Sequence, residues 1–135
     1  MSLALKDAQL KGTLALPSGA SSVYGAAIKL DNTARGAFPG EVEWLVTAPA
    51  LVVGKLADAS TMKYSVTVSA NADGSSPTIV YPDVIVQTGA GGAGAVAATK
   101  IVRLPVSVTG YVALKITNSA AADASAVSAT LEALV

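Results

Sequence analysis

The sequence predicts an all-β domain, a sandwich or barrel of about eight short strands, and three observations carry that prediction. Apolar and polar residues alternate at period 2 in run after run, the mark of half-buried strands. Clusters of Gly, Pro, Asn, Asp and Ser separate the runs at the spacing of all-β folds. Between them no segment is both long enough and periodic enough for a crossover helix. The 135 residues are one domain's worth of chain.

In chain order, Ser2 to Leu16 alternate loosely through Leu3, Leu5, Leu10, Leu14 and Leu16. Residues 1–16 therefore read as an extended N-terminal arm or as an ordinary first strand, with residues 17–135 forming the sandwich. A turn cluster, Pro17 to Ser22, precedes a short strand from Val23 to Leu30. The loop Thr33 to Gly40 holds Phe38, the single Phe, near Arg35. That Phe either folds back to plug the sandwich end or anchors into a partner. Val42, Trp44 and Val46 alternate with Glu41, Glu43 and Leu45 up to Pro49, and a second apolar stretch, Leu51 to Val53, follows. The clearest strand is Thr61 to Ala70, where Met62, Tyr64, Val66 and Val68 are expected to pack while Lys63, Ser65, Thr67 and Ser69 face water.

After the turn Asn71 to Pro77, strand character resumes from Thr78 to Thr88 through Ile79, Tyr81, Val84 and Val86. Pro82 places this strand at an edge or breaks it at a bulge. Gly89 to Ala95 reads as a mobile glycine loop. Lys100 to Val108 is another strand, with Pro105 again favouring an edge or a corner. Tyr111 to Thr117 sets Val112, Leu114 and Ile116 against Ala113, Lys115 and Thr117. The final run, Ala126 to Val135, fits a strand with Val127, Ala129, Leu131, Ala133 and Val135 inward, or a helix aligning Val127, Leu131 and Leu134. Alanine richness favours the helix; the alternation of Ser128, Thr130 and Glu132 opposite the apolar set favours the strand, which is the reading adopted.

Composition narrows the function classes. With neither Cys nor His, disulfides, the usual zinc sites and Ser-His or Cys-His pairs are excluded, so an enzyme is not expected. Nine basic and nine acidic residues, scattered along the chain, offer no footprint for nucleic acid or an anionic membrane. The opening Met-Ser-Leu-Ala-Leu-Lys-Asp lacks a basic region followed by an apolar core, so a soluble, intracellularly made protein is expected. Charged residues make up 13% against about a quarter in ordinary domains, which suits a subunit of an assembly.

Three local patterns invite chemical readings. Gly89-x-Gly91-x-x-Gly94 matches a dinucleotide fingerprint, but neither a following helix nor an acid about 20 residues on is present, so no cofactor is expected. Glu41 and Glu43 face one side of their strand at roughly 6–7 Å by strand rise. That could in principle serve a glycosidase, yet adjacent acids on a solvated face are the commoner case. Asn71-Ala-Asp73-Gly74 resembles a truncated calcium loop without its remaining ligands and reads as a plain turn. Tyr24, Tyr64, Tyr81 and Tyr111 are spread singly as core or rim residues. Arg35 and Arg103, the two arginines, are candidates for carboxylate contacts within the fold or on a partner.

Several segments in order resemble the small capsid cement (decoration) proteins of tailed bacteriophages. They are Leu5-Lys-Asp7-Ala8-Gln9, Ser21-Ser22 leading to Ile28-Lys-Leu-Asp31, Tyr64 to Ser75, the glycine loop running into Arg103-Leu-Pro105, and Tyr111-Val-Ala-Leu-Lys-Ile with the Ala/Ser-rich final strand. The resemblance covers most of the chain. It implies a jelly-roll-like antiparallel sandwich that forms a homotrimer on the outer capsid surface and bridges major capsid protein subunits. It further implies a virion protein made in the host cytoplasm that works by binding alone, with no cofactor. Leu3, Leu5, Asp7 and Leu10 of the arm, Arg35 and Phe38 of the loop, and Arg103 are then the expected contacts with neighbouring copies or the capsid. The competing class is a carbohydrate-binding sandwich module of an adhesin or tail fibre; a glycosidase relying on Glu41 is a third.

Overall fold

The computed structural model describes residues 11–29, 42–90, 92, 94–104, 110–119, 121 and 123–134. Nine β-segments run through them: β1 (Lys11–Ala15), β2 (Ser22–Tyr24), β3 (Ile28–Lys29), β4 (Val42–Ala48), β5 (Thr61–Ser69), β6 (Thr78–Thr88), β7 (Ala98–Leu104), β8 (Tyr111–Asn118) and β9 (Ser128–Leu134). Because β2 and β3 follow one another along the same edge of β8, the nine segments fill eight strand positions. One sheet has the order β1-β9-β4-β7, and the other sets β2 and β3 beside β8, then β5, then β6.

The pairings nest. β5 pairs with β6, β4 with β7, β8 with β2 and β3, and β9 with β1, all antiparallel. The chain is thus one long hairpin closed at β5–β6 and rolled into two sheets, which is the jelly-roll arrangement. The expected all-β sandwich is what forms. Of the segment that reads as arm or first strand, Lys11 to Ala15 are a strand paired to β9, and residues 1–10 lie outside the described residues.

Side-chain alternation explains the core. Trp44, Val46 and Ala48 of β4 meet Ala129, Leu131 and Ala133 of β9 on one inner face, while Met62, Tyr64 and Val66 of β5 meet Val112, Leu114 and Ile116 of β8 on the other. β9 lies between β1 and β4, each of which takes up its backbone hydrogen bonds. Two strand neighbours and a buried alternate face outweigh the helix propensity of its alanines.

Three expectations need correction. Ser65, Thr67 and Ser69 do not face water; they are buried, each with a local hydrogen-bond partner. Thr67 Oγ1 donates to the Ala113 carbonyl, Ser69 Oγ donates to the Ser75 carbonyl, and Ser65 Oγ accepts from the Asp83 N–H. The last bond arises because β6 is irregular around Pro82 and Asp83, with Asp83 at a φ of 49°. β6 is an edge strand and bulged at once, so both readings of Pro82 hold. The bulge also changes which residues point inward: Ile85 and Gln87 are buried, whereas Val86, expected to pack, is exposed. Finally, the strand expected from Val23 to Leu30 is broken at Gly25 to Ala27.

Gly110, just before β8, has a φ of 105°, and a Cβ there would lie 2.4 Å from the Ser69 carbonyl oxygen. Gly110→Ala is expected to lower the unfolding free energy by about 2 kcal/mol or more, measured by urea denaturation. In the same assay Leu131→Ala should cost about 2–5 kcal/mol. Its outward neighbour Glu132, in a partly exposed ion pair with Lys11, should cost less than about 1 kcal/mol when changed to Ala. Near-equal losses at 131 and 132 would contradict the inward and outward alternation of β9.

Candidate binding surfaces

β4 ends at Pro49, and the chain turns across the sandwich end before β5 begins. It meets the connection from β6 to β7 there, and the two zip together through their backbones. Leu51 and Ala95 exchange N–H···O bonds of 2.8 and 2.9 Å and Gly54 N–H donates to Gly92 O at 3.2 Å, while within the β6–β7 connection itself Ala90 and Gly94 exchange bonds of 2.9 and 3.2 Å. Gly89 lies against Ala57 so closely that a Cβ would sit 2.1 Å from the Ala57 oxygen. Leu51 and Leu56 point down into the core.

The dinucleotide reading of this segment fails on geometry. The Gly89 and Gly94 N–H groups are bonded to Ser60 and Ala90 carbonyls, and a strand, β7, follows. Gly91 lies outside the described residues. Gly89 and Gly94 are thus required by close backbone approach.

Beneath the two connections lies a buried polar cluster. The Tyr64 hydroxyl donates to Gln87 Oε1 at 2.6 Å, and Gln87 Nε2 donates to the carbonyls of Pro49 at 2.8 Å and Val96 at 2.9 Å. Gln87 is 4% exposed, so leaving any of these groups unpaired would be costly. Burial pushes the Tyr64 hydroxyl pKa above its usual value of 10.0. Above this cluster the end of the sandwich presents aliphatic side chains to water: Val52 is 67% exposed, Val53 74% and Val96 81%. They rim an open apolar depression of about 550 Å³ walled by Leu51 to Val53 on one side and Thr88, Ala90 and Gly94 to Val96 on the other.

The outer sheet faces differ from this end. On the first sheet, register aligns Thr13, Thr130, Thr47 and Thr99 in one rank across all four strands. The next rank toward the far end is Lys11, Glu132, Leu45 and Ile101, and beyond it Glu43 stands opposite Arg103. Lys11 Nζ is 3.9 Å from Glu132 Oε2, and Arg103 Nε is 3.0 Å from Glu43 Oε2. On the second sheet Tyr24, the exposed aromatic among the described residues, has Lys115 Nζ 5.5 Å from its ring centroid.

Of the expected contact residues, Arg103 is placed at the edge of the first sheet, bonded to Glu43. Leu3, Leu5, Asp7, Leu10, Arg35 and Phe38 lie outside the described residues, as does Glu41. Asn71 to Ser75 form a turn closed by Gly74 N–H to Asn71 O at 3.0 Å, with Asp73 Oδ1 accepting the Ser75 N–H. Those Ser75 bonds hold the Asp73 carboxyl below its usual range. Among the described residues no group of three Asp or Glu is placed to hold a metal ion. Sequence reasoning missed the exposed valines, although Leu51-Val-Val53 between Pro49 and Gly54 is an apolar run flanked by turn residues. Gln87 left no such signal. A scan against protein-family models finds no match, and neither does a search of curated proteins.

Tyr64→Phe leaves the buried Gln87 oxygen unpaired and should cost about 1–3 kcal/mol at pH 7. Because the folded-state pKa is raised, native Tyr64 stays protonated where the unfolded tyrosine ionises. Its contribution is therefore fully present below about pH 10 and is lost as pH rises beyond that value. The stability gap between wild type and Tyr64→Phe, from urea unfolding at pH 7 to 11, should shrink only above about pH 10.

Proposed function

We propose that this chain is a structural virion protein that binds the outer surface of a phage capsid and stabilises it by bridging major capsid subunits, without catalysis. The order of segments resembling cement proteins and the nested two-sheet fold are both in keeping with it. The observation that carries the reading furthest is the cross-bonded aliphatic end: an exposed apolar surface, built on backbone hydrogen bonds between two connections, suits a protein contact better than a reaction centre. A ligand that binds the assembled lattice and not its separated subunits raises the free energy of opening the shell by mass action. Display as a homotrimer multiplies that effect through effective concentration.

The carbohydrate-binding alternative draws on Tyr24. Among the described residues the one exposed ring, with a lysine ammonium near its face, makes a poorer platform for a sugar than the aliphatic end makes for a protein.

Light scattering of the purified protein should give three times the chain mass. Shells assembled from the major capsid protein encoded by the same genome should retain the protein on sedimentation and resist urea better with it than without. Deleting residues 2–10, which stops short of β1, should lower shell occupancy while leaving the urea midpoint of the free protein unchanged. A monomer that ignores shells and binds glycans in calorimetry would reverse the assignment.

A further inference from the structure

We infer that the aliphatic end at Val52, Val53 and Val96 is the surface that grips the capsid, and that its occupant is an uncharged aliphatic or aromatic side chain of a capsid subunit seated in the depression between them. This rests on the capsid reading above and locates the contact within it.

Chemistry selects the occupant. The depression is lined by aliphatic side chains, alanine, glycine and a single threonine, with no formal charge. Most of the carbonyls around it are engaged within the fold: Leu51, Ala90 and Gly92 accept backbone N–H groups, and Pro49 and Val96 accept the Gln87 amide. What remains to be gained there is removal of apolar surface from water.

Area then separates a capsid from a second copy. The exposed parts of three valines amount to something on the order of 300 Å², while a standard stable interface uses about 800 Å² per partner. This end alone is too small to hold two copies together in solution. On a lattice that engages several copies of a multivalent ligand, contacts of that size suffice, because each one after the first is intramolecular. The end is also well presented. Its two connections are cross-bonded and anchored on Gln87, so little conformational freedom remains to be lost on binding.

Position makes the contact separable from the arm. β1 runs from Lys11, level with Leu45, to Ala15, level with Ser128, and the rank of Leu45 lies farther from Pro49 than the rank of Thr47. Lys11, the first described residue, therefore stands at the end of the first sheet away from the valines.

The test measures binding of wild type, Val53→Asp, Val96→Asp and the milder Val53→Ser to the shells described above, with light scattering and urea unfolding of each protein. The expected result is a fall in shell affinity of roughly tenfold or more for each Asp variant, the factor that burial of one valine supplies. A smaller fall is expected for Val53→Ser, with solution mass and urea midpoint unchanged. Wild type bound and all variants bound equally would overturn the location and leave the capsid reading standing. Wild type unbound would overturn both. Variants whose solution mass drops would show that a second copy occupies this end, which also overturns the inference.

Discussion

Gln87 points inward from an edge strand with its whole side-chain amide buried, and an amide in that position has to find partners for both its oxygen and its nitrogen. The oxygen takes the Tyr64 hydroxyl, itself in the middle of the second sheet, and the nitrogen takes the carbonyls of Pro49 and Val96. Those two carbonyls belong to different connections. Satisfying one buried amide therefore ties the exit from β4 to the entry into β7, and the Leu51–Ala95 and Gly54–Gly92 bonds continue the tie outward. Exposed valines at the end of a loose loop would collapse onto the nearest apolar surface; here the scaffold beneath them holds them apart.

How much of this was legible in the sequence follows from which forces act locally. β5, β8 and β9 were readable because a strand with one apolar face against the core alternates in sequence, and Met62-Tyr64-Val66, Val112-Leu114-Ile116 and Ala129-Leu131-Ala133 do so without interruption. β6 was readable as a strand but not in its facing. The irregularity around Pro82 and Asp83 moves Ile85 and Gln87 inward, and whether a proline gives a plain edge or a bulge depends on the partner strand, here through the Ser65 hydroxyl that takes the Asp83 N–H. For the same reason Ser65, Thr67 and Ser69 looked solvated: polarity in a sequence does not say whether a neighbouring segment will fold over it. The glycines at 89 and 94 looked like a flexible linker because composition cannot distinguish freedom from close backbone approach. Arg103 was singled out as a carboxylate partner, and the fold sets it across from Glu43, a pairing of strands 60 residues apart that no local pattern encodes.

The described charges follow a consistent plan on the first sheet. Lys11 and Glu132 stand opposite one another on β1 and β9, and Glu43 and Arg103 on β4 and β7, so each pair is neutralised between adjacent strands at the end away from the valines. Exposed pairs of this kind add little stability. Their consequence is that these four charges together project little net field, and from the threonine rank to the aliphatic end the outer surface of the sheet carries hydroxyls and methyls. A surface of that character cannot steer a charged partner over distance. In the proposed role it would associate by short-range apolar contact, slowly for each encounter unless many sites were offered together.

On the capsid role proposed above, that property bears on how a small domain would hold a large shell. An electrostatic grip would weaken with ionic strength, since exposed charges more than about 10 Å apart are screened at 0.1 M salt. An apolar grip loses nothing by screening, and salting-out ions strengthen it. The free energy available at one aliphatic end is modest, so under that proposal occupancy would depend on repetition, with several ends engaged at once. The buried amide of Gln87 ties together the two connections beneath that end, and the paired charges of the first sheet would let proposed neighbouring copies approach with little repulsion. Tightness on this plan is a property of the array, with each domain contributing a fixed small patch and a fold stiff enough not to give it up.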